Sequence, residues 1–284
     1  MSKSILIKMK QGMNSFRPSE QKIAKYIIDN PKEAGELSVM EMAKMSDTSV
    51  ASVIRLCKTL GLKGYQDLKI AISIGAMEDR KKDKVLHEEI NADDSPKIIL
   101  DKMAAGSIQA IEETREVLSI PNLEAAIDAI DKANSIHVFS VGASSIVGLD
   151  AQYKFSRINM PTFMYFDHHI QITSAVHLTK KDVAIGISHS GRTKEVIDVL
   201  KIAKDRNATT IAITQYGKSP IQEVSDIVLY TASVENNFRS GAMASRMAQL
   251  LVIDSLFIGV ACRRYDDVIG YLELTREALE DKKY

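Results

Sequence analysis

Cysteine is scarce in this chain of 284 residues, which contains only Cys57 and Cys262. Two thiols exclude a disulfide framework, a four-cysteine zinc site and an iron–sulfur cluster. The sequence also lacks a GxxxxGKS or GxxxxGKT motif, and Gly142-Ala-Ser-Ser145 does not have the glycine spacing of a dinucleotide fingerprint. These absences argue against nucleoside triphosphates and NAD, and we expect no cofactor.

Signals for export and for membrane insertion are missing as well. No apolar stretch at the N-terminus resembles a signal peptide, and no apolar run approaches the roughly 20 residues of a membrane span. Together with the scarcity of cysteine, this predicts a cytoplasmic protein with no membrane partner. Asp167, His168, His169 and His177 are the nearest approach to a metal-binding group. Because adjacent histidines project from different faces of a helix, we predict no metal site.

The chain has as many basic as acidic residues, 37 of each, so its formal net charge is zero. This balance hides an asymmetry. Residues 1–77 contain twelve Lys and Arg against seven Asp and Glu, a net charge of +5, and the rest of the chain therefore carries −5. A basic head joined to an acidic body indicates that the head meets a polyanion.

A charged segment separates these two regions. We interpret residues 78–94 as a linker between a helix-turn-helix domain at 1–77 and a second domain at 95–284. From residue 135 onward, short apolar runs typical of strands alternate with segments typical of helices. The predicted strands are 136–141, 162–166, 183–188, 209–214 and 227–230, and the predicted helices between them are 145–157, 168–178, 193–206 and 219–224. This alternation predicts a parallel α/β sheet covered on both faces, with ligands beyond the carboxyl ends of its strands.

The head carries the pattern of a helix-turn-helix. Ser38 and Glu41 form a capping box at the start of one helix, and residues 46–48 make a tight break. Ser49 caps the next helix, which ends at Gly61. Two short helices joined by a three-residue turn define this motif, whose second helix normally enters the major groove of DNA.

The second helix of this motif would present short hydroxyl side chains and cations to DNA. Arg55 can fork onto a guanine edge or pair with a phosphate, and lysines further along can neutralise the backbone. The predicted DNA-binding residues are Ser49, Ala51, Ser52, Arg55, Lys58, Lys63 and Lys69. The alternative is an ordinary helical bundle with a solvated basic face. The short turn and the positive charge favour DNA.

Residues 37–43 and 49–69 closely resemble the N-terminal helix-turn-helix of the RpiR family of bacterial transcription regulators. The stretch Arg55-Leu-Cys-Lys-Thr-Leu-Gly-Leu-Lys-Gly-Tyr65 is the most particular part of the match. The resemblance implies that operator DNA is a partner. One departure is Ala51-Ser52, where relatives often carry Ala-Thr, and we expect it to change base preference rather than folding.

The loop after the third predicted strand concentrates hydroxyl groups. It reads Ser188-His-Ser-Gly-Arg-Thr193 and is followed directly by a predicted helix. The free N–H groups and the dipole of a helix N-terminus favour an anion, and three hydroxyls beside them suit a phosphate monoester. The alternative is a hydroxyl-rich turn that only caps the helix. In the loop after the first strand, Ser144 and Ser145 supply hydroxyls at a second helix N-terminus.

These two loops, about forty-five residues apart, together resemble the sugar isomerase (SIS) domain, a doubly wound five-stranded sheet that binds phosphosugars. The resemblance covers residues 135–261 and implies a phosphosugar ligand. It implies that Ser188, Ser190 and Thr193 hold the phosphate and that Ser144 contacts sugar or phosphate. The full set of predicted ligand residues is Ser144, Ser145, Ser188, His189, Ser190, Thr193 and Glu235, with His189 contributing its backbone N–H. Within the RpiR family the chain is most similar to the branch that senses N-acetylmuramic acid 6-phosphate, through Gly142-Ala-Ser and residues 239–257.

Together, these patterns predict an all-α helix-turn-helix domain followed by a doubly wound five-stranded parallel α/β domain, acting as a DNA-binding regulator of sugar or amino-sugar catabolism. We expect a homodimer or homotetramer, with the apolar helix at 243–257 as candidate interface, because a single small helix-turn-helix makes few contacts.

The main alternative is a phosphosugar isomerase with an accessory helical domain. It would need an acid–base pair near the sugar, for which Glu235 and some histidines are the only candidates. We therefore predict no catalytic residues. A third interpretation, a sugar-phosphate sensor that binds only protein partners, would leave the basic helix without a role.

Overall fold

The computed structural model describes residues 3–78, 90–233 and 242–280. Its contacts divide into two compact units. The first contains the chain up to Val117 together with two loop segments from later in the sequence, one at Tyr216–Lys218 and one that begins at Ala232. The second unit contains the remainder, from Leu118 onward.

Helices α1 to α6 build the head of the first unit. Their bounds are Lys3–Gly12, Pro18–Asp29, Pro31–Ala34, Val39–Met45, Val50–Thr59 and Tyr65–Glu78. The apolar faces of these helices share one core, in which Ile23, Leu56 and Leu68 have no exposed surface. Full burial of such a side chain contributes roughly 1.5–3 kcal/mol, so this core alone can hold the short helices in place.

Local capping fixes the turn between α4 and α5 as the sequence predicts. The Glu41 carboxylate accepts a hydrogen bond from the Ser38 N–H at 2.7 Å, and the Ser38 hydroxyl accepts one from the Glu41 N–H at 3.3 Å. The Ser49 hydroxyl caps α5 by accepting from the Ser52 N–H at 3.2 Å. Between the helices, Asp47 adopts a left-handed φ of 50° that reverses the chain. The helix-turn-helix prediction is thereby confirmed.

Helix α7 (Pro96–Val117) follows the head and belongs to the first unit by its contacts. The fully buried Thr114 hydroxyl donates to the Ala232 carbonyl at 3.1 Å and accepts from the Ala232 N–H at 3.0 Å. The sequence pattern predicts a domain boundary at 95, before α7, and this division stays a prediction.

The second unit contains the sheet and its covering helices. The strands are β1 (Ser135–Ser140), β2 (Thr162–Met164), β3 (Asp182–Ile187), β4 (Thr209–Gln215) and β5 (Ile227–Thr231). The helices are α8 (Ile120–Asp131), α9 (Ser144–Ser156), α10 (His168–Val176), α11 (Lys194–Asp205), α12 (Met243–Arg263) and α13 (Tyr265–Ala278). The segment predicted as a helix at 219–224 is a short 3-10 turn, Pro220–Val224, rather than an α-helix.

The five strands form a parallel sheet in the order β2-β1-β3-β4-β5, which confirms the predicted fold class. One face packs against side chains of α8, α9, α12 and α13, including Phe155 and Leu256. The opposite face packs against α10 and α11, including Val199 and Leu200. The chain leaves β1 toward the first face and β3 toward the second, so a crevice opens between the carboxyl ends of these neighbouring strands.

Helix α12 is the one helix in the described part of the chain that is long and apolar enough to cross a membrane, with a mean hydropathy of 1.4 over its most apolar 18 residues. The sequence predicts a mostly apolar helix at 243–257 that is either core or dimer interface, but no apolar run as long as a membrane span. Val252, Leu256 and Val260 on this helix are fully buried in the sheet core, so its composition is that of a core helix. The same burial leaves only the opposite face of residues 243–257 for the predicted dimer interface.

Packing between β3 and α11 predicts the effect of a methyl group at Gly186. A Cβ there would lie 2.4 Å from Leu200 Cδ1 and 2.9 Å from its Cγ. We expect Gly186→Ala to lower the free energy of unfolding by about 1–3 kcal/mol, because overpacking forces side chains off their rotamers. Gly270→Ala on α13 is the matched control, since its Cβ meets no atom within 4 Å. We expect the control to match or exceed wild type in urea denaturation, and equal loss in both variants would contradict the packing argument.

Candidate functional site

The carboxyl ends of β1 and β3 bring two loops together. Ser140 at the end of β1 is paired in register with Ile187 at the end of β3. The chain continues from these strands into residues 141–143 and into residues 188–193, called here the 188–193 loop. Both loops lead directly into a helix, α9 and α11 respectively. Two helix N-termini therefore begin at the position where open parallel sheets bind ligands.

The 188–193 loop carries a pair of hydroxyl groups at the start of α11. Ser188 Oγ lies 2.8 Å from Thr193 Oγ1, and Ser188 is buried. Thr193 occupies the N-cap position, yet its side chain makes no capping bond. The backbone N–H groups of the first helical turn are therefore not capped by Thr193, and they and the helix dipole favour an anion here.

Backbone hydrogen bonds hold this loop in shape. The His189 carbonyl accepts from the Gln215 N–H at 3.0 Å, and the Gly191 carbonyl accepts from the Ile221 N–H at 3.1 Å. Gly191 has a φ of 62°, and a Cβ there would lie 2.2 Å from Ser219 Oγ. Glycine is required at this position by both conformation and space. The loop is thus preorganised by the segment that follows β4.

Ser190 is the most accessible hydroxyl of the loop. Its side chain is exposed, and its Oγ accepts a hydrogen bond from the Arg192 N–H at 3.2 Å. This bond draws the hydroxyl toward the loop's own backbone and fixes its direction. His189 is half-buried, with its carbonyl committed to β4 as described above.

In the loop after β1, one predicted serine is accessible to a ligand and the other is buried. Gly142 has a φ of 59° and open space around the position of a Cβ, so a ligand has room to approach the backbone. Ser144 Oγ is partly accessible and accepts a bond from Gln249 Nε2 at 3.4 Å. Ser145, in contrast, is buried and donates to the Ser140 carbonyl at 3.1 Å. The Ser145 hydroxyl therefore fixes the start of α9.

The sequence analysis did not identify two buried glutamine side chains near the carboxyl end of β1. Gln249 lies on α12 and is 1% exposed, and its amide reaches Ser144. Gln171 on α10 has no exposed surface, and its Nε2 donates to the carbonyls of Ser140 at 2.9 Å and Tyr165 at 2.6 Å. A glutamine within an apolar helix was the sequence signal that could have identified them. A buried amide needs hydrogen-bond partners, so such a residue indicates a polar contact inside the protein.

Two further predictions concern Glu235 and the absence of a metal site. Glu235 lies outside the described residues. Asp167, from the group considered for a metal, caps α10 by accepting from the Ile170 N–H at 3.0 Å. Within residues 3–78, 90–233 and 242–280, no group of three or more His, Cys, Asp or Glu residues is arranged to hold a metal ion.

Helix α5 presents most, but not all, of the predicted DNA-binding side chains to solvent. Ser49, Ala51, Arg55 and Lys58 are exposed. The prediction that Ser52 is exposed is wrong, since only 4% of its surface is accessible. Its hydroxyl lies 3.0 Å from the Ser49 hydroxyl and accepts from Arg55 Nη2 at 2.8 Å. Ser52 therefore faces inward and orients the Arg55 guanidinium.

The two lysines beyond α5 differ in accessibility. Lys63 is exposed between α5 and α6, whereas Lys69 on α6 is only partly exposed. Lys69 Nζ donates to the Glu36 carbonyl at 2.7 Å. This bond uses part of the hydrogen-bonding capacity of Lys69 within the head. The side chain of Lys63, in contrast, is exposed to solvent.

A helix-turn-helix head joined to a parallel α/β domain with an anion-suited loop defines a class: transcriptional regulators with a small-molecule domain. Comparison with known proteins agrees. Residues 3–77 match the helix-turn-helix domain of the rpiR family, and residues 129–259 match the SIS domain. The chain therefore belongs to the rpiR family of helix-turn-helix transcriptional regulators that carry a SIS domain.

Similar proteins span the whole chain. An uncharacterised HTH-type transcriptional regulator of Caldanaerobacter subterraneus is 48% identical over 279 residues, which cover 98% of both chains. YbbH of Bacillus subtilis, described in the same words, is 38% identical and covers 94% of this chain and 93% of its own. The Vibrio vulnificus NanR protein complexed with ManNAc-6P has a similar structure, with a TM-score of 0.62 and 26% identity, covering 99% of this chain and 100% of that one. The sugar isomerase domain of an RpiR transcription factor from Sphaerobacter thermophilus shares the fold of the second domain, with a TM-score of 0.57 and 20% identity over 62% of this chain and 97% of that one.

The packing of α5 predicts the reactivity of the two thiols. Burial raises the pKa of Cys57 to about 11, so little thiolate forms at neutral pH, whereas Cys262 is exposed. We expect a maleimide to label one cysteine per native chain and both cysteines in denaturant, as counted by mass spectrometry. Cys262→Ser should leave the native chain unlabelled. Rapid native labelling of Cys57 would show that α5 is not packed as described.

Proposed function

We propose that this protein is a transcriptional regulator whose head binds operator DNA and whose SIS domain binds a phosphosugar effector at the crevice between β1 and β3. The observation that carries the proposal is the hydroxyl pair Ser188–Thr193, 2.8 Å apart at a helix N-terminus that lacks a side-chain cap. Hydroxyl donors and free backbone amides together suit the oxygens of a phosphate monoester.

The proposed ligand residues fall into three groups. Ser188, Ser190 and Thr193 bind the phosphate, with the backbone of His189 beside them. Ser144 contacts the sugar or phosphate from the start of α9, held by Gln249. Ser145 supports the site indirectly, because its hydroxyl bonds to the Ser140 carbonyl and fixes the start of α9. Glu235 accepts a hydrogen bond from a sugar hydroxyl, a role that rests on the family resemblance alone.

For the effector we propose an N-acetylated amino-sugar 6-phosphate. N-acetylmuramic acid 6-phosphate follows from the resemblance of residues 239–257 to the branch that senses it. ManNAc-6P, present in the Vibrio vulnificus NanR complex, belongs to the same chemical class. Both therefore serve as probes. A phosphosugar isomerase, the alternative function, would convert its substrate, and product formation with either probe in the absence of DNA would reveal it.

We further propose that the regulator acts as a homodimer or homotetramer in the cytoplasm. A single helix-turn-helix reads one half-site, and operator symmetry normally mirrors a two-fold axis of the protein. The division into a DNA-binding domain at 1–77, a linker at 78–94 and an effector domain at 95–284 remains part of this proposal.

Loss of one phosphate hydrogen bond tests the effector site. We expect Ser190→Ala to weaken binding of N-acetylmuramic acid 6-phosphate or ManNAc-6P by about 1.5–3 kcal/mol, since the bond reaches a charged group. That equals roughly ten- to a hundredfold in the dissociation constant by isothermal titration calorimetry. Ser255→Ala is the control, because among the described residues the Ser255 hydroxyl bonds only to the Leu251 carbonyl of its own helix. Unchanged affinity in Ser190→Ala would remove the 188–193 loop as the phosphate site.

Loss of a cation on α5 tests the DNA surface. We expect Arg55→Ala to weaken operator binding by about 1–3 kcal/mol, roughly 5- to 150-fold, without changing phosphosugar affinity. Arg206→Ala, which removes an exposed arginine at the end of α11, is the charge-matched control. Fluorescence anisotropy with an operator selected from random-sequence DNA provides the measurement. Equal operator affinity for the two variants would exclude Arg55 from the interface.

A further inference from the structure

A cationic pocket lies at the edge of the predicted DNA-binding surface. It has a volume of about 260 Å³ and belongs entirely to the first unit. Its lining combines the start of α2, the second half of α5 and one residue from a loop far along the chain. The lining residues are Ser15, Arg17, Glu20, Arg55, Lys58, Thr59 and Lys218.

The charge of this pocket suits an anion. Four cations, Arg17, Arg55, Lys58 and Lys218, face a single carboxylate, that of Glu20. Glu20 is buried, and its two oxygens accept from the Arg17 N–H at 3.0 Å and from the Thr59 hydroxyl at 3.2 Å. In the part of the chain that the structure describes, none of the four cations forms an ion pair with a carboxylate. An excess of three positive charges is thus available to a ligand.

The position of the pocket favours a phosphate of the DNA backbone over a free anion. Arg55 and Lys58 lie on α5, the helix that presents exposed residues to DNA, and both are exposed together with Arg17 and Lys218. An open, solvent-accessible group of cations neutralises a polyanion that approaches from outside. This choice rests on the proposed DNA-binding function.

Lys218 reaches this pocket through a three-residue segment, Tyr216–Lys218, which we call the tip. The tip follows β4 in sequence and belongs to the first unit by its contacts. Lys8 Nζ lies 5.7 Å from the centre of the Tyr216 ring in a cation–π contact. Gly217 lies against α1, where an added Cβ would be 3.7 Å from Gly12 Cα. Helix α1 therefore holds the tip in position.

Both ends of the tip connect directly to the proposed effector loop. Just before the tip, the Gln215 N–H donates to the His189 carbonyl at 3.0 Å. Just after it, Ser219 packs so closely on Gly191 that no side chain fits between them, and the Ile221 N–H donates to the Gly191 carbonyl. A shift of the 188–193 loop on ligand binding must therefore move the residues that flank the tip.

We propose that the cationic pocket binds a backbone phosphate of operator DNA, that the tip supplies Lys218 to this site, and that effector bound at the 188–193 loop alters DNA affinity through the tip. The covalent path from Gln215 to Lys218 is three peptide bonds long. The Gln215–His189 hydrogen bond lies at its start, and the Lys8–Tyr216 contact holds the next residue against α1. Such a segment can couple two sites because both bias its position.

Salt-dependent binding to duplex DNA tests the pocket without knowledge of the operator. The variants are Lys218→Ala and the charge-matched control Lys201→Ala, an exposed lysine on α11. Each lost phosphate contact should reduce the slope of log K against log salt concentration by about 0.9. We expect this reduction for Lys218→Ala and the wild-type slope for Lys201→Ala. Equal slopes for both variants and wild type would overturn the phosphate site.

The same variants test the coupling between effector binding and DNA binding, with a sugar phosphate that binds the wild-type protein. The ratio of operator affinities with and without ManNAc-6P or N-acetylmuramic acid 6-phosphate is measured for each protein. We expect the ratio to fall toward one in Lys218→Ala and to stay at the wild-type value in Lys201→Ala, while calorimetric affinity for the sugar phosphate alone is unchanged in both. A full wild-type response in Lys218→Ala would overturn the role of the tip. Wild type that binds neither DNA nor sugar phosphate would instead refute the proposed function.

Discussion

The order of strands in the sheet is the constraint on which the candidate site depends. Because β1 and β3 are neighbours and their following helices cover opposite faces, the loops after these strands cannot pack on each other and a crevice remains between them. Both loops end in a helix N-terminus at this crevice. Two hydroxyl-bearing loops that lie about forty-five residues apart in sequence therefore begin at neighbouring strand ends.

The interior of the second domain keeps this edge rigid. Buried Gln171 and Ser145 both donate to the Ser140 carbonyl, and Gln249 reaches Ser144 from α12. Each of these polar groups is held in a region of low dielectric, where an unmet hydrogen bond would cost roughly 1–3 kcal/mol. These bonds fix the end of β1 and the start of α9.

The head uses the same principle with smaller elements. A buried serine, Ser52, lies between the Ser49 hydroxyl and the Arg55 guanidinium. The N-cap of α5 and the cation expected to meet DNA are thereby linked through one side chain. Next to this helix, the tip that follows β4 adds Lys218 to the cations of the head. In the proposed function, this short segment is the route by which effector binding and DNA binding are coupled.

Local sequence by itself determined the elements whose signals are short-range. The capping box at Ser38 and Glu41, the cap at Ser49 and the alternation of apolar runs with helical segments define the helix-turn-helix and the parallel sheet, because caps and periodicity act within a few residues. Only the tertiary structure decided which hydroxyls already form hydrogen bonds within the protein, which face of α12 is buried, and that Lys218 and Arg55 line the same pocket. The bond between Ser144 and Gln249 and the pocket shared by Arg55 and Lys218 join residues more than a hundred positions apart, and no spacing within a segment encodes them. The assignment of Ser52 to the surface failed for the same reason, since the depth of a helix face is set by what packs against it.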